Sequence, residues 1–189
     1  MSLDDARAKL VAILQLAHSG ELAAAHAYDG HGRSLRDPNE KREVRSIRRE
    51  ELDHRACVRR MLDELGCPPE QRRERRMALI GRTISFLCML GGWFVPMYGA
   101  GRLESRNVRE YEDAARLALE AGLRHFVDDL LHMAEVEWEH ELYFRVKCQS
   151  HWLGQWFPKW IIPEPKRTIR ASYARFEAAR AEDAAAQAS

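Results

Sequence analysis

Signals of β-structure are nearly absent from this chain, and apolar residues recur instead at three-and-four spacing through most of its length. That excludes sheet folds and predicts an all-α protein. Cysteine is sparse. Cys57, Cys67, Cys88 and Cys148 include no close pair with zinc-site or redox spacing, which argues against a disulfide scaffold, a zinc finger or a thiol oxidoreductase. They are expected to be reduced, mostly buried thiols in a protein facing the cytosol. No charge sign dominates: 30 Lys and Arg oppose 29 Asp and Glu, so no whole-molecule field would hold a nucleic acid. The opening Met1-Ser-Leu-Asp-Asp lacks the basic region of a secretory signal peptide. No clean apolar run of membrane-spanning length exists either. The uncharged stretch from Thr83 to Gly101 comes nearest to the ~20 residues required, but Gly91, Gly92 and Pro96 interrupt it.

What is present suits one domain with a single well-formed core, given 189 residues and 46% hydrophobic content. The periodicity predicts a first helix over about Leu3 to Tyr28, stopped by Asp29-Gly30-His31-Gly32, and a second from Pro38 to Leu65. A third carries Met97, Ala100, Glu104, Val108, Tyr111, Ala115 and Ala118 on one face, and a fourth runs from about Leu123 to Ser150. Residues 1–150 thus read as a four-helix bundle with an apolar crossover, 72–100, between its second and third helices. Residues 151–189 read as a Trp-rich segment followed by a helix from about Lys166, with Ala184 to Ser189 expected to fray.

The stripes of these helices are apolar except at a few positions. Glu51-Leu-Asp-His54 and Glu137-Trp-Glu-His140 are both Glu-x-x-His, which sets carboxylate and imidazole on adjacent turns of one face. One tetrapeptide is a weak signal, but both copies fall on predicted inward stripes, and Glu21 and Glu104 occupy the matching stripes of the other two helices. A buried carboxylate costs several kcal/mol unless something pairs with it. Four Glu and two His are the ligands of a ferritin-like di-iron or di-manganese site, and hard carboxylates with imidazole favour iron or manganese over zinc. Glu51 and Glu137 are expected to bridge two Fe ions, with Mn as the alternative. His54 and His140 would bind one metal each, and Glu21 and Glu104 would complete the coordination. Asp129-Leu-Leu-His132 has the same spacing, yet His132 lies ~140° around the helix from Glu137. It is read as surface, as are Asp53, Glu110, Glu112, Glu135 and Glu139. His18, one turn before Glu21, is expected to support a ligand rather than to be one. Tyr28 and Tyr111 share stripes with Glu21 and Glu104 and are candidates for bonding the ligands or relaying electrons, although core packing alone would also account for them.

The segment His18-Ser-Gly20-Glu21-Leu-Ala-Ala24-Ala-His-Ala-Tyr28-Asp-Gly30-His31 resembles the first-helix signature of the demethoxyubiquinone hydroxylase family of ubiquinone biosynthesis. Glu50-Glu51-Leu-Asp-His54 resembles that family's second-helix motif, Glu104 with Tyr111 its third, and Glu137 with His140 its fourth. His31 stands where the signature has Gln, Glu110 stands before Tyr111 where it has His, and the chain from about Gln149 has no counterpart. The resemblance implies a membrane-associated di-iron monooxygenase that hydroxylates a polyprenyl quinone ring with O2 and a reductant such as NADH. With no signal peptide expected, that membrane association is expected to be peripheral and on the cytoplasmic face.

The crossover suits that expectation, because Arg72, Arg73, Arg75 and Arg76 precede its apolar run as in an interfacial helix. Packing against the bundle or in a homo-oligomer would serve it equally. The segment from Trp152 to Ile162 could be a second interfacial anchor or a cover over the bundle's open end. A ferritin-like iron-oxidising, storage or peroxide-scavenging protein is the alternative function, and a metal-free helical adaptor with its carboxylates paired to arginines is a third.

Overall fold

The computed structural model describes residues 2–90 and 92–187, and among them every regular element is helical. In chain order these are α1 (Leu3–Ser34), α2 (Pro38–Glu64), α3 (Gln71–Leu90), α4 (Phe94–Glu120), α5 (Val127–Ser150) and α6 (Arg167–Gln187). Short 3-10 turns precede and follow α5 at Arg124–Phe126 and Trp152–Trp156. Starts follow local chemistry. The Ser2 hydroxyl accepts the Asp5 amide at 3.1 Å, and the Asp37 carboxylate accepts the Asn39 amide at 2.6 Å with Pro38 at the first helical position.

Helices α1, α2, α4 and α5 form the bundle, and cross-helix contacts fix its directions. Arg7 reaches the Leu65 carbonyl and Arg48 the Ala25 carbonyl, so α1 and α2 are antiparallel. Glu40 pairs with Lys147 and Glu64 with His125, so α2 and α5 are antiparallel too. Tyr28 meets Glu104 and Tyr111 meets Glu21, setting α4 against α1. Running from His18–Glu74 at one end to Gly30–Ser85 at the other, α3 lies alongside α1 in the same direction and returns the chain to the end where α4 begins. The result is an all-α, ferritin-like arrangement.

Two expected boundaries are corrected. Asp29-Gly30-His31-Gly32 does not end α1 but extends it to Ser34, and Gly30, His31 and Gly32 are all buried. The glycine there answers a close approach, since a Cβ on Gly30 would strike the Ser85 backbone of α3. Gly81 of α3 likewise lies against the Ala23 backbone, 2.6 Å from where its Cβ would stand to the carbonyl oxygen. The crossover also ends earlier than residue 100: Gly92 adopts a φ of 69°, open to glycine, and α4 starts at Phe94. Of the stretch expected to fray, residues 188 and 189 lie outside the described residues, as do Met1 and Gly91, while Ala184–Gln187 continue α6.

The core has two apolar halves. One gathers Leu10, Leu14, Val58, Met61, Leu62 and Leu130 with Ile169 and Tyr173 of α6. The other gathers Leu35, Val44, Ile47, Met97, Phe144 and Cys148. Each fully buried large side chain contributes about 1.5–3 kcal/mol, which offsets the polar layer lying between the two halves. The Trp-rich segment divides its roles. Phe157 and Trp160 pack on Phe94, Tyr98 and Gly101, whereas Trp152 and Trp156 are exposed. No helix among the described residues is long and apolar enough to cross a membrane. All four cysteines are free thiols, Cys88 and Cys148 buried and the other two half-buried.

Candidate metal centre

The polar layer is built by one turn from each bundle helix. Glu21 from α1, Glu51 and His54 from α2, Glu104 from α4, and Glu137 and His140 from α5 are all buried, Glu51 and Glu137 at 0% exposure. Their ligating atoms gather in two groups within 4.8 Å: Glu51, Glu104, Glu137 and His140 in one, Glu21, His54 and Glu137 in the other. Glu137 belongs to both. Glu51 meets Glu21 of the second group as well as its own partners. The sequence-predicted six therefore converge on one locus.

Hydrogen bonds and close ion-pair contacts orient these groups. His54 Nδ1 lies 3.0 Å from Glu137 Oε1, and His140 Nδ1 lies 3.3 Å from Glu51 Oε1 and 3.7 Å from Glu137 Oε2. Both imidazoles thus turn Nδ1 inward. The outer Nε2 of His140 is held by Glu50 at 2.7 Å, a support that selects which ring nitrogen faces the carboxylates. The Tyr28 hydroxyl donates to Glu104, the Tyr111 hydroxyl donates to Glu21, and the Asn107 amide donates to Glu104 Oε2 at 2.9 Å. Each carboxylate meets imidazole, hydroxyl, amide or another carboxylate rather than guanidinium.

The electrostatics are those of crowded, buried carboxyls. Burial, with the neighbouring carboxylates, holds Glu51 and Glu104 well above the usual carboxylate range, and Glu21 is raised mainly by burial. Burial opposes ionisation of Glu137 too, but the adjoining His140 and His54 imidazoles outweigh it and its carboxyl stays well below that range. Burial disfavours charge on both imidazoles, yet the adjoining carboxylates raise His54 and hold His140 well above the ordinary value. Even so, Glu21 Oε2, both oxygens of Glu51, Glu137 Oε2 and His140 Nδ1 have no hydrogen-bond partner. Orphaned buried acceptors are rare in folded proteins, and cations are what four clustered carboxylates and inward-facing imidazole nitrogens can hold.

Other sequence candidates separate from the cluster. His18 pairs with Glu74 of α3 at 2.9 Å rather than with any of the six. His132 is exposed, as are Asp53 and Glu139, while Glu110 is half-buried and paired with Arg106 at 2.6 Å. Two supports were missed in the sequence, Glu50 and Asn107. Glu50 sits beside Glu51 on a turn that looks solvent-facing, and only the fold brings α5 to it.

Two cavities approach the cluster between α1, α3 and α4. The larger, 510 Å³, is walled almost wholly by apolar side chains and glycines, and Tyr28 and Glu104 stand in its wall. The smaller, 180 Å³, reaches Glu21 and Tyr111 and shares Gly20, Met77, Leu103 and Asn107 with the larger. Around the large cavity the second half of α3 and the start of α4 expose Ile84, Phe86, Leu87, Met89, Leu90 and Val95, with Leu90 at 71%.

Residues 8–88 match the model of the COQ7 family, described as ubiquinone biosynthesis protein COQ7. The match includes Glu21, Glu51 and His54, with Tyr28 and nearly all of α3. Glu104, Glu137 and His140 lie beyond it and join the same locus by geometry. No curated protein and no solved structure matches the chain.

Proposed function

From a segment, residues 8–88, that belongs to the ubiquinone biosynthesis protein COQ7 family, we propose that this chain is a di-iron monooxygenase that hydroxylates the ring of a membrane-borne quinone or quinol. The observation that carries the reading is a buried four-Glu, two-His cluster with unpartnered acceptor atoms, standing at the wall of a large apolar cavity. Four ionised carboxylates carry a formal charge that two divalent cations would cancel, which suits two Fe ions, with Mn as the alternative.

Glu51, Glu104, Glu137 and His140 would hold one ion and Glu21, His54 and Glu137 the other, with Glu137 shared and Glu51 adjoining both. Iron there would supply reductive activation of O2 for insertion of one oxygen atom into the ring. The protein's own work is orientation and exclusion of water. Tyr28 and Asn107 fix Glu104 from the cavity side, Tyr111 fixes Glu21, and Glu50 keeps the Nε2 proton of His140 outward so that Nδ1 is free to coordinate. The apolar cavity walls keep the ring's surroundings dry.

Delivery from a lipid surface fits the exposed apolar half of α3 beside the cavity, together with exposed Arg72, Arg75 and Arg76 at its other end. Trp152 and Trp156 extend the exposed apolar surface past the start of α4, where His151 packs on Trp93. Binding would be peripheral, and the apolar cavity favours a ring substrate over iron storage. The test is anaerobic iron loading of the full chain, then labelled O2 and a short-chain quinol with a reductant such as NADH. One labelled oxygen in the product is expected. Unlabelled product with many irons retained per chain would favour the storage alternative.

A further inference from the structure

One polar group near the cluster has no part in the scheme above. His31 is only 2% exposed, lines the 510 Å³ cavity, and has no hydrogen-bond partner on either ring nitrogen. An unsatisfied buried imidazole is unfavourable unless something else uses it. Burial keeps the ring neutral, with its pKa lowered to about 4, so it offers one N–H donor and one acceptor nitrogen.

The cavity narrows the choice of partner. Its described lining contains no lysine or arginine, so nothing there would neutralise a phosphate or carboxylate, and a plain acyl chain would leave the imidazole unpaired. A partner must be apolar over most of its surface and carry a neutral oxygen. His31 also stands one turn beyond Tyr28 on α1, about 4.5 Å along the axis, while Tyr28 holds Glu104. That offset is comparable to one six-membered ring.

We propose that His31 is the positioning residue for the substrate ring, donating its N–H to a ring oxygen of the quinone or quinol while the opposite edge of the ring faces Glu104. The assignment rests on the quinone reading above and adds to it the group that sets the ring's orientation.

The test compares the full-length chain with His31→Leu and His31→Gln, titrated calorimetrically with a butyl-substituted benzoquinone and with butylbenzene. A lost neutral hydrogen bond weakens binding by about tenfold. His31→Leu is expected to bind the quinone about tenfold more weakly and butylbenzene no more weakly. His31→Gln, which keeps a donor and an acceptor, is expected to restore quinone binding to within about threefold. The ligand-free His31→Leu protein should melt no lower than the parent, because an apolar side chain replaces an unpartnered polar one.

Quinone binding by His31→Leu equal to the parent's would overturn this assignment and leave the quinone reading standing. A lower melting temperature for ligand-free His31→Leu would assign His31 a structural role and also overturn it. If the parent binds neither probe, the quinone reading and the assignment fall together.

Discussion

Replacing Glu51 by Gln should stabilise the metal-free protein and weaken the metal-loaded one. Glu51 is fully buried, neither of its oxygens has a hydrogen-bond partner, and Glu21, Glu104 and Glu137 crowd it. Gln keeps the shape, stays neutral where the carboxyl must either hold a proton or add a like charge, and gives its neighbours an amide donor. Satisfying a buried polar group of this kind is worth about 1–3 kcal/mol, and about 2 kcal/mol corresponds to roughly 4–8 °C in Tm for a chain of this size. Saturating divalent metal acts in the opposite sense. At about 100 times its Kd, a metal stabilises the parent by about 2.7 kcal/mol, and Glu51→Gln should forfeit most of that gain. Differential scanning calorimetry in chelator, then anaerobically with ferrous iron, should show the order of the two proteins reverse. A Glu51→Gln protein that melts lower than the parent in chelator would show that Glu51 has a structural partner, and the reasoning would fail.

Glu50→Ala removes the partner of His140 Nε2 and should lower metal affinity about 10- to 100-fold, measured by competition with a chromogenic chelator. Gly81→Ala forces a methyl against the Ala23 backbone and should cost about 2 kcal/mol, roughly 4–8 °C by thermal melting. Leu87→Asp with Leu90→Asp should abolish co-sedimentation with anionic vesicles while leaving Tm nearly unchanged, since both side chains are exposed. Without metal, stability should fall as pH rises. The raised carboxyls of Glu21, Glu51 and Glu104 bind protons more tightly folded than unfolded, so their contribution is lost above the ordinary carboxylate range. Raised His54 and His140 lose theirs in turn as pH climbs through their folded values, while the depressed Glu137 opposes the trend at the acid end and the buried His31, lowered to about 4, opposes it with His18 and His26 until the ordinary imidazole value is passed. Urea unfolding at about pH 7.5 and about pH 9 in chelator, above that opposing window, would check the sign.

The six cluster residues were legible because a carboxylate on an otherwise apolar helix stripe is costly, and four helices shared that anomaly at matching heights. Their supports were less so. Tyr28 and Tyr111 could be singled out by stripe, but which carboxylate each would meet depended on the antiparallel pairing of α1 with α4. Glu50 stood inside the second-helix motif, but its role did not follow from it, because its partner lies 90 residues away on α5. Gly30-His31-Gly32 read as a stop because two glycines usually end a helix. The packing of α3 on α1 requires a small residue at Gly30 inside the helix, and that contact is tertiary. The cavity was invisible for the same reason, since residues from three helices form its wall.

The central claim is two metal ions held by one shared carboxylate layer, and anaerobic titration of the full chain with ferrous iron, read as bound metal per chain, tests it most directly. The parent should bind two ions per chain, and Glu137→Ala should retain neither tightly, because Glu137 belongs to both groups. A parent that binds fewer than two ions, or a Glu137→Ala protein that still binds both as tightly, would contradict the account.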